Sequence, residues 1–326
     1  MNLQWARISA GLVFPFFGKL LIMPSFVSPL IIAGPTAIGK SAVAQYLAEK
    51  TGAVIVSADS MLVYKGMDIG TAKPSIEERS RVKYIGLDCV NPNEPFSVGD
   101  WLSFVKDGLA SCSPDTPIIV TGGTGLYIKA LLNGLDAQPS DPKIREHFTT
   151  IFDCEGIDGL HREMEARGVT VPLGDVDNPR RLLRALERFE SGDCDSASSS
   201  PPLMAGAKVY CLTMDRELLA KRIYKRIEIM FDEGLLEETQ RIFGNLGVNI
   251  APTAAGAIGY AEALAFSRGE ISREEAIETI ALRTRHLAKR QFTWFRHQLP
   301  VEWVEVFPGD SVESMAERIS LLCNAL

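Results

Sequence analysis

The chain is 326 residues long with 46% hydrophobic and 23% charged residues. This composition excludes a disordered or fibrous protein and, at about 150 residues per domain, fits two domains or one large domain carrying an insertion. Its 34 basic and 41 acidic residues leave a net charge of −7, which argues against a coat on nucleic acid but not against a local basic groove. Six cysteines, none in a C-x-x-C pair, and four histidines indicate reduced thiols rather than a disulfide scaffold or a zinc site.

Residues 1–28 are an apolar, aromatic extension broken by Pro15, Lys19 and Pro24. The stretch resembles a poor signal peptide and lacks the roughly 20 unbroken apolar residues of a membrane span. Met23 stands just ahead of the first strand, so the expectation is a start-site artefact or a dispensable tail, on a protein that works in the cytoplasm and away from membranes. A short buried strand is predicted over 29–33, then a helix over 41–50 with Val43, Ala44, Leu47 and Ala48 on one face, closed by Gly52. Further apolar strands are predicted at 54–56, 117–120, 208–212 and 301–306. Strands alternating with helices imply a parallel α/β sheet whose carboxyl ends carry the ligand site. Between 137 and 190 the strand signal vanishes and Leu182, Leu183, Leu186 and Phe189 take helical spacing. That segment is predicted to be a small helical insertion, leaving 29–136 and 191–326 as the core, joined through a Ser-, Gly- and Pro-rich linker at 191–206.

The strongest chemical signal is Gly34-Pro35-Thr36-Ala37-Ile38-Gly39-Lys40-Ser41, a G-x-x-x-x-G-K-[ST] loop between a predicted strand and a predicted helix. Its amides, the helix N-terminus and Lys40 favour phosphate, and Ser41 can ligate Mg²⁺. The loop alone leaves open a nucleoside triphosphate such as ATP or a prenyl diphosphate. Asp59, after the second strand, reads either as an N-cap or metal ligand or as a general base at the mouth of the phosphate site. Thr121-Gly-Gly-Thr124-Gly-Leu-Tyr127 reads either as a tight strand-to-helix turn or as a close backbone approach to ligand with a hydroxyl from Thr124. Two basic runs complete the set. Arg283, Arg285, His286, Lys289, Arg290 and Arg296 are interleaved with Phe292, Trp294 and Phe295, and Arg180, Arg181, Arg184 and Arg188 form the second run. Either is ordinary as a solvated helix face; together, with aromatics able to stack on bases, they point to RNA. Arg216, Arg222 and Arg226 offer further charge for phosphate.

Taken together, the GPTAIGKS loop, residues 59–74 (DSMLVYKGMDIGTAKP), the GGTGLY turn and residues 284–296 (TRHLAKRQFTWFR) resemble the tRNA dimethylallyltransferase family. The resemblance implies a P-loop NTPase-like fold with a helical insertion, acting as a monomer. It implies transfer of a dimethylallyl group from its diphosphate to N6 of the adenosine 3′ to the anticodon, in tRNAs reading codons that begin with U. By resemblance, Asp59 accepts the N6 proton and Thr124 hydrogen-bonds at the junction of amine and diphosphate. The loop from Gly34 to Ser41, with Mg²⁺ and Arg216, holds the diphosphate. Asp59, Ser60, Met61, Leu62, Val63 and Tyr64 contact the flipped base, while Lys289, Arg290, Gln291, Trp294, Arg296 and the insertion contact the anticodon stem-loop. Departures from the family pattern are Lys83-Tyr84 in place of two histidines, Leu62 in place of a glutamine, and a short insertion. The alternatives are a small-molecule P-loop kinase, a prenyltransferase acting on free AMP or ATP, and a nucleotide-switched RNA-binding module.

Overall fold

The computed structural model describes residues 29–136, 141–192, 199–246 and 249–323. The expectations for residues 1–28 and for part of the linker lie outside the described residues. Two compact units emerge, one from the described residues up to Asn133 with those from Leu203 onward, the other Gly134–Pro202.

The larger unit begins with β1 (Leu30–Ala33), α1 (Lys40–Thr51), β2 (Val54–Ser57), α2 (Ile76–Arg81), β3 (Tyr84–Ile85), α3 (Val98–Ala110), β4 (Ile118–Gly122) and α4 (Gly125–Asn133). The smaller unit holds β5 (Leu135–Asp136), α5 (Pro142–Arg167), a 3₁₀ turn at Leu173–Asp175, α6 (Pro179–Glu190) and β6 (Ser199–Ser200). The larger unit then resumes with β7 (Val209–Thr213), α7 (Arg216–Asp232), α8 (Leu235–Leu246), α9 (Pro252–Ala255), α10 (Tyr260–Ser267), α11 (Arg273–Gln298), β8 (Glu302–Glu305) and α12 (Val312–Cys323).

Six strands form one parallel sheet in the order β3-β2-β4-β1-β7-β8. Its central strands are apolar and buried almost without a break, as a sheet covered on both faces requires. Val43 and Leu47 of α1 join Met315 and Ile319 of α12 in one core with Ile32, Ile55 and Ile119 of the sheet. Trp101 of α3 is fully buried, stacks on Tyr127 of α4 at 4.3 Å, and donates its indole N–H to the Ser57 carbonyl at 3.1 Å. Register places Ala33 beside Gly122 and Ser57 beside Thr121, so the loops leaving β1, β2 and β4 share one carboxyl edge. That edge is where an open parallel sheet binds ligands.

Over 76–110 apolar spacing does not mark both helices. The signal lies at the helix starts: Ser75 with Glu78, and Ser97 with Asp100, form reciprocal capping boxes that open α2 and α3.

The smaller unit is wider than the 137–190 helical stretch because the antiparallel pair β5–β6 belongs to it. It has its own core of Phe148, Leu160, Met164, Leu182 and Leu186. Phe189, expected on the same apolar face, is instead 44% exposed. The helix α5 breaks at Gly156, whose φ of 66° no ordinary residue adopts readily. Part of the α6 basic run is neutralised locally, Arg181 pairing with Asp175 and Arg184 with the buried Glu187. Among the described residues no helix is long and apolar enough to cross a membrane, and Cys89, Cys112, Cys154 and Cys211 are free thiols.

The segment after β2 is held by a buried cation. The Lys73 ammonium donates to the Tyr64 carbonyl at 2.7 Å and pairs with Asp88 at 2.7 Å and Asp68 at 2.6 Å, while Arg79 takes the second Asp88 oxygen at 2.6 Å. From the other side the Glu238 carboxylate of α8 accepts the amides of Asp68, Ile69 and Gly70 at 2.9, 2.8 and 3.0 Å, and the Tyr260 hydroxyl donates to it at 2.7 Å. Replacing Lys73 by Met strands Asp68 and leaves Asp88 to Arg79 alone, at carboxylates that keep 43% and 34% side-chain exposure. Lys73→Met is therefore expected to cost about 2 kcal/mol in urea unfolding, below the cost of breaking a fully buried pair. A loss under a few tenths of a kcal/mol would show that the network is not what holds this segment.

Candidate active site

Immediately after β1 the chain passes through Gly34 (φ 144°), Ala37 (φ 65°) and Gly39 (φ 107°) before α1 begins at Lys40. Gly34 is required twice over: its φ is unsuited to other residues, and a Cβ there would lie 3.0 Å from the Leu212 carbonyl oxygen. Among the described residues no side chain caps the N-terminus of α1, so its first amides remain available to an anion. Lys40 folds back to donate to the Pro35 carbonyl at 3.2 Å and is only 7% exposed. Burial pushes its ammonium down to about 8, the Asp59 carboxylate opposes that shift, and Arg226 adds to it.

At the neighbouring strand ends, Asp59 accepts the Met61 amide at 3.0 Å and so points its carboxylate across the turn. The Thr124 hydroxyl accepts the Ser60 amide at 2.9 Å and meets the Ser60 hydroxyl at 3.2 Å. The glycines of the GGTG turn are space requirements. A Cβ on Gly122 would lie 2.0 Å from the Ala58 carbonyl oxygen, and one on Gly125 would lie 2.0 Å from the Trp294 ring. The two halves of the edge are linked by Gln291 of α11, which accepts the Thr36 amide at 2.8 Å and donates to the Gly123 carbonyl at 3.0 Å.

Two recesses share this edge. The inner one is lined by Lys40, Ser41, Ser57, Asp59 and Thr121, the outer one by Ser60, Met61, Thr124, Arg290 and Gln291, and Thr36, Asp59, Thr71 and Arg226 line both. The outer recess encloses about 340 Å³, within the range of small-molecule sites. Magnesium on a phosphate commonly takes only one or two protein oxygens and keeps several waters. Ser41 and Asp59 could supply those oxygens, and the unpartnered buried hydroxyls of Ser57 and Thr121 give the recess a polar lining that no described residue satisfies. Among the described residues no group of three or more His, Cys, Asp or Glu could hold a metal by itself.

Several expected residues are placed differently. Arg216 opens α7 and lines a neighbouring hollow with Arg285, Lys289 and Arg296, not the inner recess. Farther along the same helix, Arg226 donates to the Thr36 hydroxyl at 2.9 Å and Arg222 to the Ile38 carbonyl at 3.2 Å. Burial lowers the pKa of Arg226, with Asp59 opposing the shift. Val63 and Tyr64 are 1% and 0% exposed, so they pack into the core and present no surface to a base. Leu62, 9% exposed, only edges the inner recess. Of the α11 residues, Arg290 and Gln291 face the outer recess, while Lys289, Trp294 and Arg296 line hollows on other sides of the helix. Arg283 is paired with the buried Glu262. Spacing gave no warning of Gln291 as a bracket, because its partner Thr36 lies 255 positions away.

With this geometry in place, the comparisons fall on one side. A family model described as IPP transferase matches residues 62–298. The chain belongs to the IPP transferase family. It is 42% identical over 295 residues to a protein named tRNA dimethylallyltransferase from Geobacter metallireducens, covering 87% of this chain and 95% of that one. A solved tRNA isopentenylpyrophosphate transferase from Bacillus halodurans superposes with a TM-score of 0.61 at 30% identity, covering 92% of this chain and 97% of that chain. A solved eukaryotic dimethylallyltransferase acting on tRNA shares the fold, with a TM-score of 0.70 at 21% identity over 91% of this chain and 80% of that chain. Family membership thus agrees with the resemblance read from the four motifs.

The Lys40 shift has a testable consequence. Burial brings the pH at which its ammonium gives up a proton down from 10.5 in an ordinary setting to about 8 in the fold. Between those values the unfolded chain binds the extra proton, so this group makes the ligand-free protein more stable as pH rises through the window and penalises it below. Urea unfolding of wild type and Lys40→Met from pH 7 to 10.5 should give a stability difference that shrinks as pH rises. A pH-independent difference would contradict a depressed Lys40.

Proposed function

We propose that this protein transfers a dimethylallyl group from dimethylallyl diphosphate to N6 of the adenosine next to the anticodon on its 3′ side, in tRNAs reading codons that begin with U. The observation that carries the reading is one edge holding a phosphate loop, a carboxylate and a hydroxyl at the mouth, and a basic, aromatic helix as its wall. A phosphate loop alone suits a kinase equally well; the Asp59 and Thr124 pair beside the basic, aromatic wall is what an amine about to be alkylated needs.

An exocyclic adenine amine is a poor nucleophile, so two demands must be met. The bond from the allylic carbon to the diphosphate oxygen breaks as the N6–carbon bond forms, and the N6 proton must leave. Lys40, Arg226 and the α1 amides stabilise charge on the departing diphosphate. Mg²⁺, when bound through Ser41, supplies further charge neutralisation there. Asp59 accepts the proton, and Thr124, tied to Ser60, orients the amine. The adenine leaves its stack to reach the outer recess, which costs less in an anticodon loop than in a duplex. Lys289, Arg290 and Arg296 of α11 grip the loop phosphates, with Trp294 beside them as a stacking surface. The reading also places the protein in the cytoplasm as a monomer.

The test is incubation of the protein with Mg²⁺, labelled dimethylallyl diphosphate and unmodified tRNA, an anticodon stem-loop, AMP or no acceptor. Label on tRNA and on the stem-loop supports the reading; label on AMP alone, or nowhere, overturns it. Asp59→Ala should lower turnover by about 10²–10⁴-fold, the usual contribution of a general base, while tRNA affinity stays within several-fold. A parallel fall in affinity and turnover would contradict the assignment of Asp59 as base.

A further inference from the structure

The floor of the inner recess holds two hydroxyls that the reaction above does not use. Ser57 at the end of β2 and Thr121 on β4 are register partners, 2% and 5% exposed. Neither side-chain oxygen has a hydrogen-bond partner among the described residues, although leaving a buried hydroxyl unpaired is costly. Their backbones need no help from them. The Ser57 carbonyl accepts the Trp101 indole N–H at 3.1 Å, and the Thr121 carbonyl accepts the Ala58 amide at 2.8 Å. Alanine and valine would fill the same space without burying an unpaired oxygen. Both hydroxyls share the recess with Lys40, Ser41 and Asp59, so the polar atoms with no structural employment are gathered where an anion and its counter-ion belong.

We propose that Ser57 and Thr121 form a hydroxyl pair that holds water ligands of a divalent cation seated on Ser41 and the diphosphate. The proposal rests on the diphosphate reading given above. Mg²⁺ gives up its hydration shell reluctantly, and its waters are strong donors that need acceptors in the surrounding protein. Among the described residues no carboxylate other than Asp59 lines the inner recess, and the base role leaves Asp59 to the acceptor amine. A hydroxyl accepts through two lone pairs, so each member of the pair can take a hydrogen bond from a metal-bound water. On this account the pair sets the affinity for the cation without touching the reacting atoms, and both residues are positioning residues.

The experiment measures Mn²⁺ binding to the full chain by electron paramagnetic resonance, with and without inorganic pyrophosphate, for wild type, Thr121→Val, Thr121→Ser and Ser57→Ala. Thr121→Val is expected to weaken pyrophosphate-dependent Mn²⁺ binding by about 10-fold, the lower end of what loss of an outer partner costs a metal site. Thr121→Ser, which keeps the hydroxyl, should bind within about twofold of wild type on the same principle. The thermal midpoint of ligand-free Thr121→Val should equal or exceed that of wild type, because an unpaired buried oxygen has been removed. Mn²⁺ affinity unchanged in both Thr121→Val and Ser57→Ala, with pyrophosphate-dependent binding intact in wild type, overturns the proposal and leaves the diphosphate reading standing. Absence of pyrophosphate-dependent binding in wild type overturns both.

Discussion

Across the end of the sheet, the Ala58 amide donates to the Thr121 carbonyl at 2.8 Å and the Ala58 carbonyl accepts the Thr124 amide at 3.1 Å. These two bonds straddle Gly122, where the chains approach so closely that a single added carbon would sit 2.0 Å from the Ala58 oxygen. The contact continues the β2–β4 register past the last strand residues and fixes Asp59 against Thr124. Because β4 also pairs with β1, the same constraint sets the distance from that pair to the phosphate loop. Moving any one of the three loops would move the others, and the site follows from sheet register more than from any one side chain.

The long helix α11 converts that edge into an enclosed site. Gln291 grips both the Thr36 amide and the Gly123 carbonyl, and Trp294 packs where only a glycine at 125 leaves room. A basic helix is thereby held against the reacting edge instead of floating beside it. The net charge of −7 is an average over the whole chain; what an RNA phosphate meets is local, and Lys289, Arg290 and Arg296 occupy the helix that walls the recess. Burial lowers the pKa of both Lys40 and Arg226 and the Asp59 carboxylate opposes it, which leaves this edge poised to gain from a phosphate ligand whose negative charge offsets the cost of burying theirs.

Much of this was legible because it is local. The phosphate loop, Asp59 and the GGTG turn each lie within a few residues of the strand that positions them, so strand, loop and helix can be read as one string. The α7 arginines were not separable in that way. Arg216, Arg222 and Arg226 share a helix, and only the packing of α7 against the loop determines that Arg226 reaches Thr36 while Arg216 faces a different hollow. Residues 59–64 mislead for a related reason. In an irregular segment no period separates Met61, which lines the outer recess, from Val63 and Tyr64, which fill the core. The roles of Gln291 and Glu238 depend on partners far away in the chain, and their residue types alone suggest only solvated polar positions. The reduced size of the α6 basic run arises likewise from Asp175 and Glu187 finding their arginines in space.

The central claim is that the phosphate loop, the Asp59 turn and the Thr124 turn act as one ligand-binding edge. Amide hydrogen exchange, followed by mass spectrometry on the full chain with and without dimethylallyl diphosphate and Mg²⁺, tests it most directly. The account predicts added protection that appears together, at the same ligand concentration, in peptides covering 34–41, 57–61 and 121–125. Protection of the loop peptide with no change in the other two, or protection confined to residues outside all three, would contradict it.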